Sequence, residues 1–219
     1  METANYTYVW LGLVSMGLSL FLVLLGGKPS VRPTRYQALL EGYVRFVRNM
    51  LMDNIGEKGL RYTPLIASLG LFIFFSNLLG MVPGIEAPTG SMNINLAMAL
   101  IVFLFYNFEG IRNGGTKYFK HFLGPNKYLA PFFVVVEIIS HLSRPITLSL
   151  RLFANMKGGA ILLFALVGMV IKNPFAMALS PVVLVFIVAI KFLAVFIQTY
   201  VFMILSVVYL AGAVSHEEH

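Results

Sequence analysis

Long apolar runs dominate this chain and limit what it can fold into. Five runs share this character: residues 8–25, 64–82, 93–108, 128–171 and 174–214. The first three are close to the ~20 residues that an α-helix needs to cross a bilayer's ~30 Å hydrocarbon core. Because the chain is 58% hydrophobic and only 11% charged, too few polar side chains remain to cover a soluble core. The sequence therefore predicts an all-α, polytopic membrane protein with five membrane helices in a single membrane domain, residues 1–219.

The last two runs are too long for one ordinary crossing. At 1.5 Å per residue, a helix over residues 128–171 would be roughly 66 Å long, about twice the thickness of the hydrocarbon core. Transmembrane helices tilt by about 20° on average and by about 40° at most, so ordinary tilt cannot absorb the excess. Either each run contains a re-entrant or interfacial stretch, or each helix lies steeply inclined in the bilayer.

One further segment has a helical pattern but is too polar to cross. Residues 35–55 place Glu41, Arg45 and Arg48 among regularly spaced apolar side chains. This pattern predicts an amphipathic helix that lies in the membrane interface.

The distribution of Lys and Arg predicts the orientation of the chain. Seven of the sixteen basic residues lie between residues 28 and 61, and four lie between residues 112 and 127. The second group follows the third span, which we expect to end at Phe108, and we expect turns at Gly114-Gly115 within it. The opposite side carries Lys172 alone. Because basic residues are retained on the cytoplasmic side, we predict an outside N-terminus, five crossings and a cytoplasmic C-terminus. A bacterial inner membrane is the expected location, and an organelle membrane is the alternative.

Several kinds of function are excluded by what the sequence lacks. Cysteine is absent, which removes thiol nucleophiles, Cys-bound zinc and iron–sulfur clusters. No soluble domain remains to hold a nucleotide, and the net charge of +7 fits basic residues kept on one side of a membrane. We therefore expect no cofactor, no metal, no nucleic acid partner and no direct nucleotide binding. Residues 1–8 contain no Lys or Arg, so we expect the first run to be a mature helix rather than a signal peptide.

A stripe of polar residues crosses the fourth run. Its members follow one another at spacings of three or four: Glu137, His141, Arg144, Thr147, Arg151 and Asn155. This spacing places them on one face of a helix over five turns. A charge inside a membrane costs about 2.5–3.5 kcal/mol on insertion scales and usually faces a partner or water. The stripe therefore runs lengthwise from the inner side to mid-membrane, and it has room for water.

Structural alternatives remain for part of this stripe. The hydroxyls nearby, on Ser140, Ser143, Thr147 and Ser149, could simply join membrane helices. Glu137 and Arg144 could form an ion pair over two turns. Arg151 is different, because its run offers no acid nearer than Glu137. It implies a carboxylate from another subunit, a ligand, or an aqueous cavity.

The last run carries a second, weaker polar face. Lys191, Gln198 and Thr199 belong to it, and Gln198 is expected near the level of Arg151. Lys191 is expected to position water or to pair with Glu86 of the outer loop. Tyr200 and Tyr209 fit packing or interface positions better than proton transfer.

Two other classes of protein compete with an ion path. A secondary transporter could bind an anionic substrate at Arg151, but the sequence has no inverted repeat and only five predicted crossings. An intramembrane hydrolase would need a Ser–His, paired-Asp or HExxH constellation. Glu137 could orient His141, but no serine lies three or four residues from that histidine.

Four stretches of the sequence resemble one known family. They are SRPITLSLRLFANM (residues 143–156), SNLLGMVPG (76–84), PTGSMNINLAMAL (88–100) and IQTYVFMILSVVYLAGAVSHEEH (197–219). Together they resemble subunit a of F-type ATP synthases, the stator channel of the membrane rotary motor. The resemblance implies translocation of H⁺, or of Na⁺, through two offset aqueous half-channels beside a rotating c-ring, coupled to ATP synthesis. It also implies an interfacial helix, two long and steeply inclined helices, contact with peripheral-stalk b subunits and the lipid bilayer, and no catalytic residue.

The resemblance assigns roles to particular residues of this sequence. Arg151 matches the essential arginine of the family, Asn155 and Gln198 match its polar companions, and Glu137 matches the acid of the inner half-channel. Two positions depart from the common pattern: Ala160 and Lys191 stand where a titratable pair usually lines the outer half-channel. His141 is an additional titratable group on the inner side.

Overall fold

Helices make up almost all of the described part of the chain. The structure, a computed structural model, describes residues 2–25, 34–82, 85–121, 130–172 and 174–214. Within these residues the α-helices are α1 (Glu2–Leu25), α2 (Arg35–Ile55), α3 (Thr63–Leu79), α4 (Met92–His121), α5 (Ala130–Lys172) and α6 (Pro174–Val214). Two 3-10 turns, Glu57–Tyr62 and Pro88–Gly90, precede α3 and α4. Among the described residues, five helical stretches are long and apolar enough to cross a membrane, which confirms the prediction of an all-α polytopic membrane protein.

The two long runs form continuous helices. α5 has 43 residues and contains Pro145, and α6 has 41 residues and contains Pro181. Each proline removes one backbone hydrogen bond, yet both helices continue through it. Hydroxyls near Pro145 donate to carbonyls of their own helix. Ser143 donates to the Ser140 carbonyl at 2.7 Å, and Ser149 donates to the Ile146 carbonyl at 2.9 Å. Their hydrogen bonds therefore lie within α5, and the steep inclination of these helices stays a prediction.

The end of α4 differs from the sequence prediction. The helix continues through Glu109 and through Gly114-Gly115 to His121, so the predicted turn at these glycines is wrong. Glu109 does not end the helix in water, because it is only 5% exposed. Its carboxylate accepts hydrogen bonds from Arg61 Nη2 at 2.9 Å and from the Tyr62 hydroxyl at 3.0 Å. Each glycine costs about 1 kcal/mol in a helix, which is too little to stop it.

The amphipathic segment packs through one face. α2 buries Val47, Met50 and Leu51 against the other helices and leaves Arg45 and Arg48 exposed. Its Tyr43 hydroxyl donates to the Ala67 carbonyl of α3 at 2.8 Å, and burial raises the pKa of Tyr43, so the hydroxyl stays neutral. This one-sided burial is what an interfacial helix requires.

The core is shared by α2 to α6. Its fully buried side chains include Ile73 of α3, Tyr106 of α4, Leu152 of α5 and Phe202 of α6. α1 lies at the edge of this core and exposes large apolar residues, such as Trp10 at 68%. This distribution is typical of a chain whose outer surface faces lipid or partner subunits rather than water.

Candidate functional site

α5 presents the polar stripe along the border of its packed face. Leu148 and Leu152, on the adjoining face, are buried. His141, Arg144 and Asn155 are half-buried, whereas Thr147 and Arg151 are exposed. The backbone of Glu137 belongs to α5, but its side chain lies outside the described residues, so the pairing of Glu137 with Arg144 stays a hypothesis. The stripe thus faces a neighbouring helix on one side and the surroundings of the chain on the other.

Arg151 lies on the open side of this border. Among the described residues, no carboxylate lies within ion-pair distance of its guanidinium and no group accepts a hydrogen bond from it. Described acids with ion-pair partners lie elsewhere: Glu86 pairs with Lys157, and Glu109 pairs with Arg61. Because Arg151 is exposed, its guanidinium is open to the surroundings of the chain, and the hydrated cavity expected beside it stays a prediction.

α5 and α6 form an antiparallel hairpin with a clear register. Gly159 lies against the side chain of Lys191, and the guanidinium of Arg144 lies 5.2 Å from the ring centre of Tyr209. Between these two levels, the same register places Arg151 at the level of Thr199 to Phe202, within about one helical turn of Gln198. Gln198 is buried, and its amide could hydrogen-bond a guanidinium without neutralising it.

A small cavity, lined by three polar side chains among apolar residues, lies on one side of the Arg151 level. It has a volume of about 10 Å³, which is room for roughly one water molecule. The residues that line it come from α3, α5, α6 and the chain after α3: Asn77, Gly80, Met81, Asn155, Met156, Lys191, Ala194 and Val195. The cavity therefore joins two sequence-predicted site residues, Asn155 and Lys191, with Asn77.

Buried amides that line this cavity, or that connect to it through Thr89, lack part of their hydrogen bonding. The Asn77 Oδ1 atom accepts a hydrogen bond from the Thr89 hydroxyl at 2.7 Å, and Asn95 Nδ2 donates to the Thr89 carbonyl at 2.7 Å. Among the described residues, Nδ2 of Asn77, Oδ1 of Asn95 and Nδ2 of Asn155 find no partner. An unsatisfied buried polar group costs about 1–3 kcal/mol, so these atoms indicate sites for water. We name Asn77, Thr89, Asn95 and Asn155 the amide cluster.

Sequence reasoning missed three members of the amide cluster. Asn77, Thr89 and Asn95 stand in the stretches 76–84 and 88–100 and occupy the end of α3, the turn before α4 and the start of α4. A polar side chain within an apolar run was the available signal. Their meeting depends on contacts between different helices, which spacing along one helix does not reveal.

A second polar group lies on the other side of the Arg151 level. Nδ1 of His141 is 3.3 Å from the Tyr106 hydroxyl, and the guanidinium of Arg144 lies 5.9 Å from the centre of the Tyr106 ring. Tyr209 completes the group through its ring, 6.1 Å from that of Tyr106. The stripe residues His141 and Arg144 thus contact α4 and α6, and Tyr106 is a member that the sequence did not reveal.

The predicted pairing of Lys191 with Glu86 is wrong. Glu86 lies 3.6 Å from Nζ of Lys157 and accepts a hydrogen bond from Tyr8. Lys191 lines the cavity instead, because Gly159 leaves room for its side chain across α5.

Comparison with known proteins places the chain among relatives of similar length. Residues 7–211 match the family model described as ATP synthase A chain. ATP synthase subunit a of Aquifex aeolicus (strain VF5) is 67% identical over 215 residues, which cover 98% of this chain and 100% of the relative. The protein of the same name from Hydrogenobaculum sp. (strain Y04AAS1) is 54% identical, and the match covers 98% of this chain and 99% of the relative. That from Campylobacter concisus (strain 13826) is 43% identical, and the match covers 94% of this chain and 88% of the relative.

Proposed function

The chain belongs to the ATP synthase A chain family, and we propose that it is the ion-translocating stator subunit of a rotary ATP synthase. In this proposal H⁺, or alternatively Na⁺, passes through two offset aqueous half-channels at the interface with a rotating c-ring. The passage couples the ion-motive force to ATP synthesis, while catalysis takes place in other subunits. The observation that carries the proposal is Arg151, exposed within a 43-residue helix and without an ion-pair partner among the described residues. Family membership favours this function over a secondary transporter or a hydrolase.

The charge on Arg151 would act on a carboxylate of each passing ring subunit. A carboxylate about 4 Å from a guanidinium gains roughly 4 kcal/mol at an effective dielectric constant near 20. This gain favours the ionised carboxylate, so a ring site releases its ion as it meets Arg151. The site reloads from the other half-channel before it returns to lipid. A guanidinium suits this role because it does not lose its proton in proteins.

Exposure of Arg151 also fits the limited driving force. At the illustrative limit of a dry site with a dielectric constant of 4, the attraction would reach about 20 kcal/mol and would hold the rotor in place. The membrane potential supplies only about 2.3 kcal/mol per charge per 100 mV. An Arg151 that borders water and a moving partner, with Asn155, Thr147 and Gln198 nearby to hold water, keeps the attraction weak enough for rotation.

Polar groups on both sides of Arg151 support two half-channels. With the N-terminus outside, α5 runs from the inner to the outer side. Glu137, His141 and Arg144 then belong to the inner path, and Asn155 and Lys191 belong to the outer path with the amide cluster. In this orientation the C-terminus is cytoplasmic. The bacterial origin of the relatives favours a multi-pass protein of a bacterial inner membrane. The c-ring and the peripheral-stalk b subunits are its proposed partners.

The absence of native cysteine permits a clean test of the ring interface. Thr147→Cys and Ala154→Cys place a thiol on the exposed side of α5 on either side of Arg151. Each is expected to form a disulfide with a cysteine placed beside the mid-helix acid of a c subunit in membranes that contain the complex. Leu20→Cys on α1, at a position 59% exposed, is the control and should form none. Cross-linking by the control alone would contradict the proposed interface.

Two glycines of α5 provide a matched test of Lys191. A Cβ atom at Gly159 would collide with the Lys191 side chain, whereas one at Gly168 would meet nothing within 4 Å. Both changes to Ala gain about 1 kcal/mol of helix propensity, but only Gly159→Ala displaces the Lys191 ammonium. We expect Gly159→Ala to slow ion-driven ATP synthesis about three- to ten-fold, the effect of roughly 1 kcal/mol, and Gly168→Ala to leave it unchanged. Equal rates in reconstituted vesicles would remove Lys191 from the path.

A further inference from the structure

Three polar side chains from distant parts of the sequence meet near the outer path. Tyr8 of α1 donates a hydrogen bond to the Glu86 carboxylate, and Lys157 Nζ lies 3.1 Å from the Tyr8 hydroxyl and 3.6 Å from Glu86 Oε2. We name Tyr8, Glu86 and Lys157 the outer cluster. The Glu86 side chain is 63% exposed and that of Lys157 is 37% exposed. The cluster therefore reaches the surface and does not belong to the packed core.

The outer cluster adjoins the amide cluster. A Cβ atom at Gly90 would lie 3.7 Å from the Tyr8 ring and 3.8 Å from Cε of Lys157, so both side chains cover the turn that contains Thr89. The Thr89 hydroxyl donates to Asn77, and Asn77 lines the cavity with Asn155 and Lys191. Polar groups thus follow one another from the surface at Glu86 to the helical turn next to Arg151.

Among the described side chains, Glu86 is the one acid in contact with this path. Residues 58–108 contain no other Asp or Glu, and residues 138–216 contain none. Ala160 cannot titrate, and the Lys191 ammonium cannot accept a proton while it is charged. Among the described side chains, a path that ends at Arg151 therefore has a single carboxylate at its outer end.

We propose that Glu86 is the group that takes up protons from the outer solution and passes them to the outer half-channel. The proposal rests on the function proposed above and names the ion and the uptake residue. The carboxylate accepts one proton from a hydronium ion of the outer water, releases one proton to water in the path, and returns to its ionised form. A proton can move along hydroxyls and water, whereas a sodium ion would pass two ammonium groups, Lys157 and Lys191, at close range.

Charge decides the direction of the expected effects. Lys157 balances Glu86 in the native chain, so Glu86→Gln leaves a net positive charge at the mouth of the path and repels protons. Lys157→Gln leaves a net negative charge and attracts them. A cluster that only held α1 against α5 would instead be weakened alike by both changes, because each removes the ion pair.

The test measures passive proton conductance from the outer side in vesicles that contain the reconstituted complex. We expect Glu86→Gln to lower it about ten-fold, the low end of the ~10–10³-fold range by which charged clefts change on-rates. Glu86→Asp should retain most of the conductance, and Lys157→Gln should raise it about two-fold. The difference in conductance between Glu86→Gln and Lys157→Gln should become smaller as the salt concentration is raised from about 10 mM to about 1 M, because salt screens exposed charges. Asp53→Asn, an exposed acid of α2, should match the native complex.

Two results would overturn the uptake role. One is native conductance in Glu86→Gln, and the other is an equal, salt-independent loss in Glu86→Gln and Lys157→Gln. Failure of the broader function is distinguishable, because it would appear as normal ion-driven synthesis in Arg151→Ala. Loss in Arg151→Ala together with native conductance in Glu86→Gln would reject this inference alone.

Discussion

Arg151→Ala is expected to abolish ion-driven ATP synthesis by the assembled complex. The change removes a gain of roughly 4 kcal/mol for the ring carboxylate, and each 1.36 kcal/mol corresponds to a factor of ten in rate. A loss of about 10²- to 10³-fold follows. The measurement is ATP synthesis in vesicles under an imposed ion gradient, at matched amounts of assembled complex.

Arg151→Lys tests whether permanent charge is needed. Lysine retains a cation, but its ammonium can lose its proton where the ring partner excludes water, so we expect most of the synthesis to be lost as well. The control is Arg48→Ala on the exposed face of α2, which should synthesise ATP at the native rate. Normal synthesis in either Arg151 variant would refute the role assigned to this residue.

The double variant Asn77→Leu/Thr89→Val is expected to close the outer path. Both side chains are fully buried and bonded to each other, and replacing both partners avoids leaving an unsatisfied hydroxyl. A buried water needs about two to four polar partners, so removing two of the polar groups of the amide cluster should leave too few to hold water in the path. We expect passive conductance to fall about 10²-fold, the low end of what a positioned proton-transfer group contributes. The measurement is passive proton conductance from the outer side in vesicles that contain the reconstituted complex.

Asn54→Leu provides a matched amide control for this variant. Asn54 lies on the exposed side of α2, where Nδ2 donates to the Met50 carbonyl of its own helix. Its replacement should leave conductance at the native value. Native conductance in a fully assembled Asn77→Leu/Thr89→Val complex would show that the path runs elsewhere.

The sequence predicted the membrane helices because one physical rule governs them. An apolar run of sufficient length must form a helix in lipid, where each backbone group needs a partner. The same rule kept α5 and α6 continuous through Pro145 and Pro181. Helix ends were harder to predict, since Glu109 is stabilised by Arg61 and Tyr62, which lie far from it in sequence.

The candidate site likewise contains residues that the sequence predicts and residues that only contacts between helices reveal. Arg151 and Asn155 follow from spacing along one helix, and their burial matches a stripe at a packing border. The amide cluster and the outer cluster depend on contacts between α1, α3, α4 and α5. For Lys191 the sequence leaves two roles open, positioning water or pairing with Glu86. In the structure Lys157, not Lys191, forms the ion pair with Glu86. The position of the Lys191 side chain is shown only by its packing against Gly159.

The most direct measurement is the structure of the complete membrane sector in lipid at a resolution that shows side chains. It should place a carboxylate from a different polypeptide, at mid-helix in a ring of helical hairpins, within about 4–6 Å of the Arg151 guanidinium, the range in which opposite charges favour ionisation. Water should fill the space between them and the amide cluster. A guanidinium neutralised by Glu137 or another acid of its own chain, with no foreign carboxylate in reach, would contradict the proposed rotary mechanism.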